Sequence, residues 1–261
     1  MIGETHAATG VLLGFGIATA LRLPAAEAVL FAVTTGGYAL APDLDCSGAT
    51  ASRLLGPVTR LLSWLLTRAS KAAFNITRTR HDRRGAGTHR HLSHTIVFGL
   101  AVGVLAEWTA GMSPWAVVGW TGFGLLAAGA ALHGWVTVVG AAAAAVPVVL
   151  EGADLYSVCA GVHQWIGLAV AGGCMAHIAG DALTVSGVPF AWPLPLGWPG
   201  RAQTWRDLHL LPRGLRLHTG KRVERWLVLP LVLAGCVLAI PGVAPHLLAL
   251  LDSAVHLAGP R

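Results

Sequence analysis

His89-Arg90-His91-Leu92-Ser93-His94-Thr95 runs directly into Ile96-Val97-Phe98-Gly99-Leu100, so a cluster of imidazoles stands at the mouth of an apolar run. Three further polar clusters interrupt the chain in the same way: Thr5-His6, Pro42-Asp43-Leu44-Asp45 and His177-Ile178-Ala179-Gly180-Asp181. Each is rich in groups that ligate metals. Ionisable side chains within or beside membrane spans are costly to keep there, which makes them functional candidates by default. Where the spans carry these four clusters therefore decides both the fold and its chemistry.

Around the clusters the chain is 54% hydrophobic and 11% charged, whereas a soluble domain carries about a quarter charged residues. The balance predicts an all-α, polytopic membrane helix bundle of about six to eight helices, folded as a single integral membrane domain over residues 1–261. A hydrocarbon core of about 30 Å needs roughly 20 apolar residues as helix. Expected spans lie near 7–22, 25–41, 92–111, 114–133, 135–150, 158–180 and 226–250, of which the first, second and fifth are short. Frequent Gly and Ala predict close helix approach. Pro241 and Pro245 divide the last stretch into a span ending near Ile240 and an interfacial helix. No basic region precedes the first apolar stretch, so it is expected to stay rather than to be cleaved. Cys159, Cys174 and Cys236 sit in apolar runs as small packing residues, while Cys46 follows Asp45 with nothing at metal spacing beside it.

Charge sets the expected orientation. Arg53, Arg60, Arg68, Lys71, Arg78, Arg80, Arg83, Arg84 and Arg90 fall between the second and third spans. Arg201, Arg206, Arg213, Arg216, Lys221, Arg222 and Arg225 fall between the sixth and the last. The positive-inside rule puts both segments in the cytoplasm, the first including a basic insert at 68–88 and the second a loop at 182–225. Counting crossings from His6 then brings all four clusters to the cytoplasmic face. The stretch 54–69 mixes Leu and Trp with Arg60 and Arg68. It suits either a helix in the interface, cations toward anionic headgroups, or a short packed helix.

His177 and Asp181 are spaced i, i+4 and share one helix face. Asp43 and Asp45, spaced i, i+2 after Pro42, would point the same way on an extended backbone, and Pro42 biases the residue before it out of helix. His89 and His94 bracket a loop that leads into a helix, and His91 and His94 are i, i+3. Taken singly, each cluster has a plainer reading. His177/Asp181 can be a structural hydrogen bond or proton relay, Asp43/Asp45 a helix cap, and His6 an interfacial histidine. Gathered on one face, they predict a metal site. Imidazole and carboxylate donors suit zinc, with manganese or iron as alternatives. His6, Asp43, Asp45, His89, His94, His177 and Asp181 exceed one tetrahedral site, so two or more ions are expected, as in phosphoester hydrolysis. Arg90 is either a phosphate-binding guanidinium or a positive-inside anchor. His133, His163, His246 and His256 are read as packing or interface residues, and His81, His209 and His218 as solvated.

These motifs resemble the YdjM-like family of membrane-bound, metal-dependent hydrolases. That family shows a T-H near the N-terminus, P-D-x-D after the second span, H-R-x-x-[ST]-H-[ST], and H-x-x-x-D-x-x-T-x-x-G. Here they stand as Thr5-His6, Pro42 to Asp45, His89 to Thr95, and His177 through Asp181 and Thr184 to Gly187, with a last motif at Thr219-Gly220 to Glu224. The departures are His91, where glycine is usual, and the insert around 68–88. The resemblance implies that His6, Asp43, Asp45, His89, His94, His177 and Asp181 hold the metal. It makes Glu224 and His91 weaker ligand candidates and Thr184 a group orienting a ligand through its hydroxyl. It also implies a distant similarity to zinc-dependent phospholipase C and P1-type nucleases, hence a phosphoester substrate and two or three zinc ions.

The expected function is a hydrolase in a bacterial- or archaeal-type cytoplasmic membrane. Its site would face the cytoplasm and act on a lipid-type phosphoester, with Asp45 and Arg90 as catalytic residues and Asp45 accepting a proton from water. One rival is a metal-ion or proton transporter using the same cluster, whose site would lie near the midplane. The other is a membrane-tethered nuclease. Nucleic acid is the weakest partner, because positive-inside topology already accounts for most of the net charge of +6.

Overall fold

The computed structural model describes residues 1–82, 87–198 and 200–258, the side chains of the last helix as far as residue 250. Arg83 and Arg84, two of the orienting cations, and the His256 side chain lie outside the described residues. The helices are α1 (Gly3–Ala20), α2 (Ala25–Tyr38), α3 (Thr50–Arg53), α4 (Pro57–Thr77), α5 (Ile96–Met112), α6 (Pro114–Leu132), α7 (Trp135–Glu151), α8 (Leu155–Ala182), α9 (Leu229–Ala239) and α10 (Val243–Ala258). Short 3-10 turns occupy Pro42–Asp45 and Leu92–His94, and a π-turn at Glu224–Val228 leads into α9. Among the described residues there is no strand. Isolated bridges, Thr184 to Leu217 and Val188 to Leu208, brace the long loop after α8.

α2 is the axis of the bundle. It packs against α1, α6, α7 and α8, and ten of its 14 residues are buried. Small residues make this possible by letting backbones touch. A methyl at Gly37 would collide with the Gly124 backbone of α6, and one at Gly173 of α8 with the Thr35 carbonyl and, at 2.8 Å, Ala39 N. A methyl at Gly10 of α1 would stand 2.9 Å from Gly36 Cα. Close approach at these points brings the ends of α1, α2 and α8 together.

Every expected span is helical, 226–250 as two pieces, but not every helix is long enough to cross alone. α6 and α8 are long and apolar enough, and a third span results if Glu224–Ala239 and Val243–Leu250, bent by 91°, count as one. α5 and α7, at 17 residues, are shorter apolar helices. The 14 residues of α2 rise only about 21 Å, against a core of about 30 Å. α2 is an internal post, walled by its neighbours. The break after Ala239 follows the division expected at Pro241.

Two departures from expectation shape the site. α5 begins at Ile96 rather than at 92, because Thr95 Oγ1 accepts from Phe98 N at 3.1 Å and caps the helix there. Residues 92–94 before it form a 3-10 turn. The expected 54–69 segment is the longer α4, and its polarity is inverted. It buries Thr59, Ser63, Ser70 and Phe74 while exposing Val58, Leu61, Leu62, Trp64 and Leu65. Two hydroxyls on this face tie α4 to neighbouring loops: half-buried Thr67 Oγ1 lies 3.1 Å from Asp45 O, and buried Ser70 Oγ donates to Gly87 O (2.8 Å). A helix with its polar face inward and Leu and Trp outward suits an apolar surrounding.

The glycine contacts give a direct check. Gly173→Leu should abolish the folded bundle, because overpacking against backbone has nowhere to relax. At Gly161 on the same helix an added methyl meets nothing within 4 Å, so Gly161→Leu should leave the melting midpoint of the detergent-solubilised protein unchanged. Equal midpoints for the two variants would contradict this packing.

Candidate metal centre

Four chain segments meet at one end of the bundle: the first turn of α1, the turn after α2, the loop before α5 and the last turn of α8. Tyr38 ends α2, and Pro42 opens a 3-10 turn rather than an extended segment. Ala41 before it stays helical (φ −63°, ψ −38°), since proline is well suited to the first position of a helical turn. At three residues per turn, positions i and i+2 diverge. Asp43 and Asp45 therefore face different partners. Asp43 faces His94 and His177, with Oδ1 3.7 Å from Nε2 of each. Asp45 turns to the 89–95 loop.

Asp45 organises that loop. Its Oδ1 accepts from His89 Nδ1 at 2.6 Å, and its Oδ2 accepts from Ser93 Oγ at 2.7 Å and from Arg90 N at 3.0 Å. The pairing holds Arg90 at φ +61°, a conformation uncommon for a side chain of this size and characteristic of functional sites. The same hydrogen bond to Asp45 raises the His89 pKa above 6.5, although partial burial and Arg90 oppose it.

The network also assigns the histidine tautomers. Ser93 gives its single hydroxyl proton to Asp45, so at 2.9 Å it must accept from His94 Nδ1. His177 Nδ1 donates to Ala39 O at 2.7 Å. Both rings are thus left with bare Nε2 lone pairs, and these two nitrogens face each other at 3.1 Å. Two lone pairs at that distance repel unless a cation or a proton stands between them. Asp181 Oδ2 lies 3.6 Å from His94 Nε2 and 3.7 Å from His177 Nε2, and it is buried without a hydrogen bond, the Arg90 guanidinium beside it as an ion pair.

These donors fit a metal ion. Ligands at about 2.0–2.1 Å around a tetrahedral cation stand roughly 3.3 Å from one another, which the 3.1–3.7 Å spacings bracket. Three ligand groups overlap: His94, His177 and Asp181; Asp43, His89 and His94; and His6, Asp43 and His177. Asp43 belongs to two of them. His6 stacks on His177, centroids 3.7 Å apart, and Gly180 leaves room for it, since a methyl there would lie 3.2 Å from His6 Nδ1. That nitrogen is itself buried and unpartnered. The cluster can hold a metal ion.

The floor of the centre is sealed. His6, His94, His177 and Asp181 are at most 1% exposed. Its open side passes Asp43 (22%), Arg90 (23%) and His89 (42%). Asp181 Oδ1 is flanked by the Met1 amino group, by His6 Nε2 at 3.3 Å and by Arg90 Nη2 at 3.3 Å, and its Oδ2 is 3.1 Å from the same guanidinium nitrogen.

Other candidates stand apart. His91 turns away to Phe74 and Trp205, with centroids at 5.1 and 5.5 Å. Thr184 Oγ1 donates to the Asp181 main-chain carbonyl at 2.7 Å, not to its carboxylate. Glu224 is buried and accepts from Ile2 N and Gly220 N, each at 2.6 Å, clipping the start of α1 to the loop after α8. Cys46 belongs to none of the ligand groups. His163 lies 3.5 Å from Glu107, a residue of α5. His209, expected in solvent, donates to Val185 O at 3.1 Å. Sequence reasoning assigned no role to Ser93 or to the Ala39 carbonyl, although Ser93 stood inside the quoted motif.

The model of the YdjM inner membrane protein family matches residues 1–247 of the chain. No curated protein matches it. No solved structure does either.

Asp45→Asn should weaken metal binding about 10- to 100-fold, the usual effect of removing a carboxylate that orients a histidine ligand. His94→Ala and His177→Ala should each abolish stoichiometric metal, while His91→Ala should keep it. Elemental analysis of purified, folded variants decides the matter, and a metal content independent of both His94 and His177 would refute the site.

Proposed function

The chain belongs to the YdjM inner membrane protein family, and from that premise we propose that it is a metal-dependent hydrolase acting on a phosphoester at the cytoplasmic face of the membrane. What carries the reading is the pair of bare imidazole nitrogens, His94 Nε2 and His177 Nε2, 3.1 Å apart and ringed by Asp43 and Asp181. Zinc is the best match to this donor set, with manganese or iron next. When bound, it would supply Lewis-acid polarisation of a phosphoryl oxygen.

The chain's own residues supply the rest. His94, His177 and Asp181 would hold the ion and leave a fourth position open, and His89 and His6 stand beside them for a second. Arg90, at the open side, offers a guanidinium to phosphate oxygens and exchanges them for Asp181. Asp45 is a positioning residue in this reading. Its side chain is fully buried and both oxygens are engaged, so it fixes His89 and, through Ser93, His94. Asp43, the carboxylate of the cluster that solvent reaches, then takes the proton from water.

Location favours hydrolysis over transport. Transport sites lie near the bilayer midplane at broken helices, whereas these ligands occupy the first turn of α1 and the last turn of α8. Exposed cations at the ends of the spans account for a cytoplasmic orientation without invoking nucleic acid. The phosphoester substrate rests on the likeness to zinc-dependent phospholipase C that the motif resemblance implies.

Zinc-loaded protein should hydrolyse bis(p-nitrophenyl) phosphate, lose activity to a chelator and regain it with zinc. Asp43→Asn should remove at least about 100-fold of the turnover, in line with loss of a catalytic proton acceptor. Arg90→Ala should lower kcat/KM about 10- to 100-fold, the range expected for a lost charged hydrogen bond. Folded, metal-replete protein inert toward this diester and toward phospholipids would overturn the assignment.

A further inference from the structure

Beside the metal centre lies an apolar groove of about 590 Å³ that the chemistry above does not use. One wall is α4, through Leu62 and Leu65; the other is α5 and α6, through Phe98, Val102, Gly119 and Trp120. The polar ends of its aromatic lining are spent elsewhere. Trp120 Nε1 donates to Thr109 Oγ1 at 2.8 Å, and Tyr38 Oη donates to Trp120 O at 2.8 Å. Ala41 and Leu44 line it as well, and Leu44 sits between Asp43 and Asp45 on the ligand-bearing turn. The groove thus reaches the turn that carries Asp43 and Asp45.

We infer that this groove binds an acyl chain of a membrane phospholipid, whose phosphate the neighbouring centre then meets. The volume lies within the range of small-molecule sites. α6, one wall, is long and apolar enough to cross a membrane, so this wall belongs to a helix suited to lipid. α4, the other wall, turns its Leu, Val and Trp outward beside exposed Arg60 and Arg68, and the Arg68 guanidinium lies 4.0 Å over the Trp64 ring. Apolar residues flanked by cations match acyl chains below anionic headgroups. A second copy of the chain is a poorer fit, because helix–helix contacts in membranes favour small residues over large exposed Leu and Trp.

The occupancy rests on the groove alone, and only its link to turnover rests on the hydrolase reading. The experiment is native mass spectrometry of the full chain, purified in mild detergent from membranes of phosphatidylglycerol and phosphatidylethanolamine. Gly119→Leu fills the groove, and Gly16→Leu on α1 is its control, since neither position has an atom within 4 Å of an added methyl. The wild type and Gly16→Leu should retain one diacyl phospholipid per chain, and Gly119→Leu should retain at least tenfold less, with metal content and melting midpoint unchanged in all three. Equal retention in Gly119→Leu, or a lipid-free wild type, overturns the inference. So does a dimer that Gly119→Leu dissociates, which would assign the groove to a second copy. Retained lipid on a protein inert toward bis(p-nitrophenyl) phosphate would sink the hydrolase reading and leave this one standing. Metal-dependent turnover with unaltered lipid retention in Gly119→Leu would do the reverse.

Discussion

Two imidazole nitrogens that have each been stripped of a proton by their own hydrogen bonds are held face to face at 3.1 Å. That arrangement is electrostatically unfavourable in isolation, and the protein maintains it from both sides. The Ala39 carbonyl fixes one ring. The Ser93–Asp45 pair fixes the other. Neither ring can turn to relieve the repulsion without leaving a buried donor or acceptor unpaired, which costs more than an ordinary hydrogen bond gains. The arrangement makes sense as preorganisation for a cation, where the ligand atoms are aimed before the ion arrives.

The bundle is built to keep that aim. Ala39 is the residue after α2, so its carbonyl is only as fixed as that helix, and α2 is gripped by backbone contacts at Gly36, Gly37 and Thr35. His177 and Asp181 ride on α8, which meets α2 through Gly173. The glycines and the histidines are therefore parts of one device. Small residues bring the helix ends close enough for side chains from residues 6, 43, 94, 177 and 181 to meet, and longer residues at the crossings would hold them apart.

The clustering of His and Asp was legible because these residues are rare in apolar sequence and stood at the predicted ends of spans. The all-helical class was legible for the same compositional reason. What could not be read was the division of labour among similar groups. Asp43 and Asp45 look alike in the sequence, and only the 3-10 turn at Pro42 sends one toward His94 and His177 and the other toward Ser93 and His89. Proline reads equally well as ending a helix and as starting a turn. His91 is separated from Asp43 by its contact with Trp205, more than a hundred residues away in the chain, and Glu224 bonds to Ile2 from the far end of the sequence. The amphipathic pattern of α4 was visible, but a pattern does not say which face points inward. Here the hydroxyls do, because Thr67 and Ser70 bond to the loops that carry Asp45 and Thr88.

The order of these segments along the chain has a biosynthetic corollary. Residues 6, 43 and 94 emerge from the ribosome early, but the floor of the centre is missing until α8 has delivered His177 and Asp181. A nascent chain that has inserted its first five or six helices carries unmatched histidines and no complete cation shell. A complete cation shell is then reached only after α8 has docked against α2, so any cation held there would arrive after helix assembly and not before it.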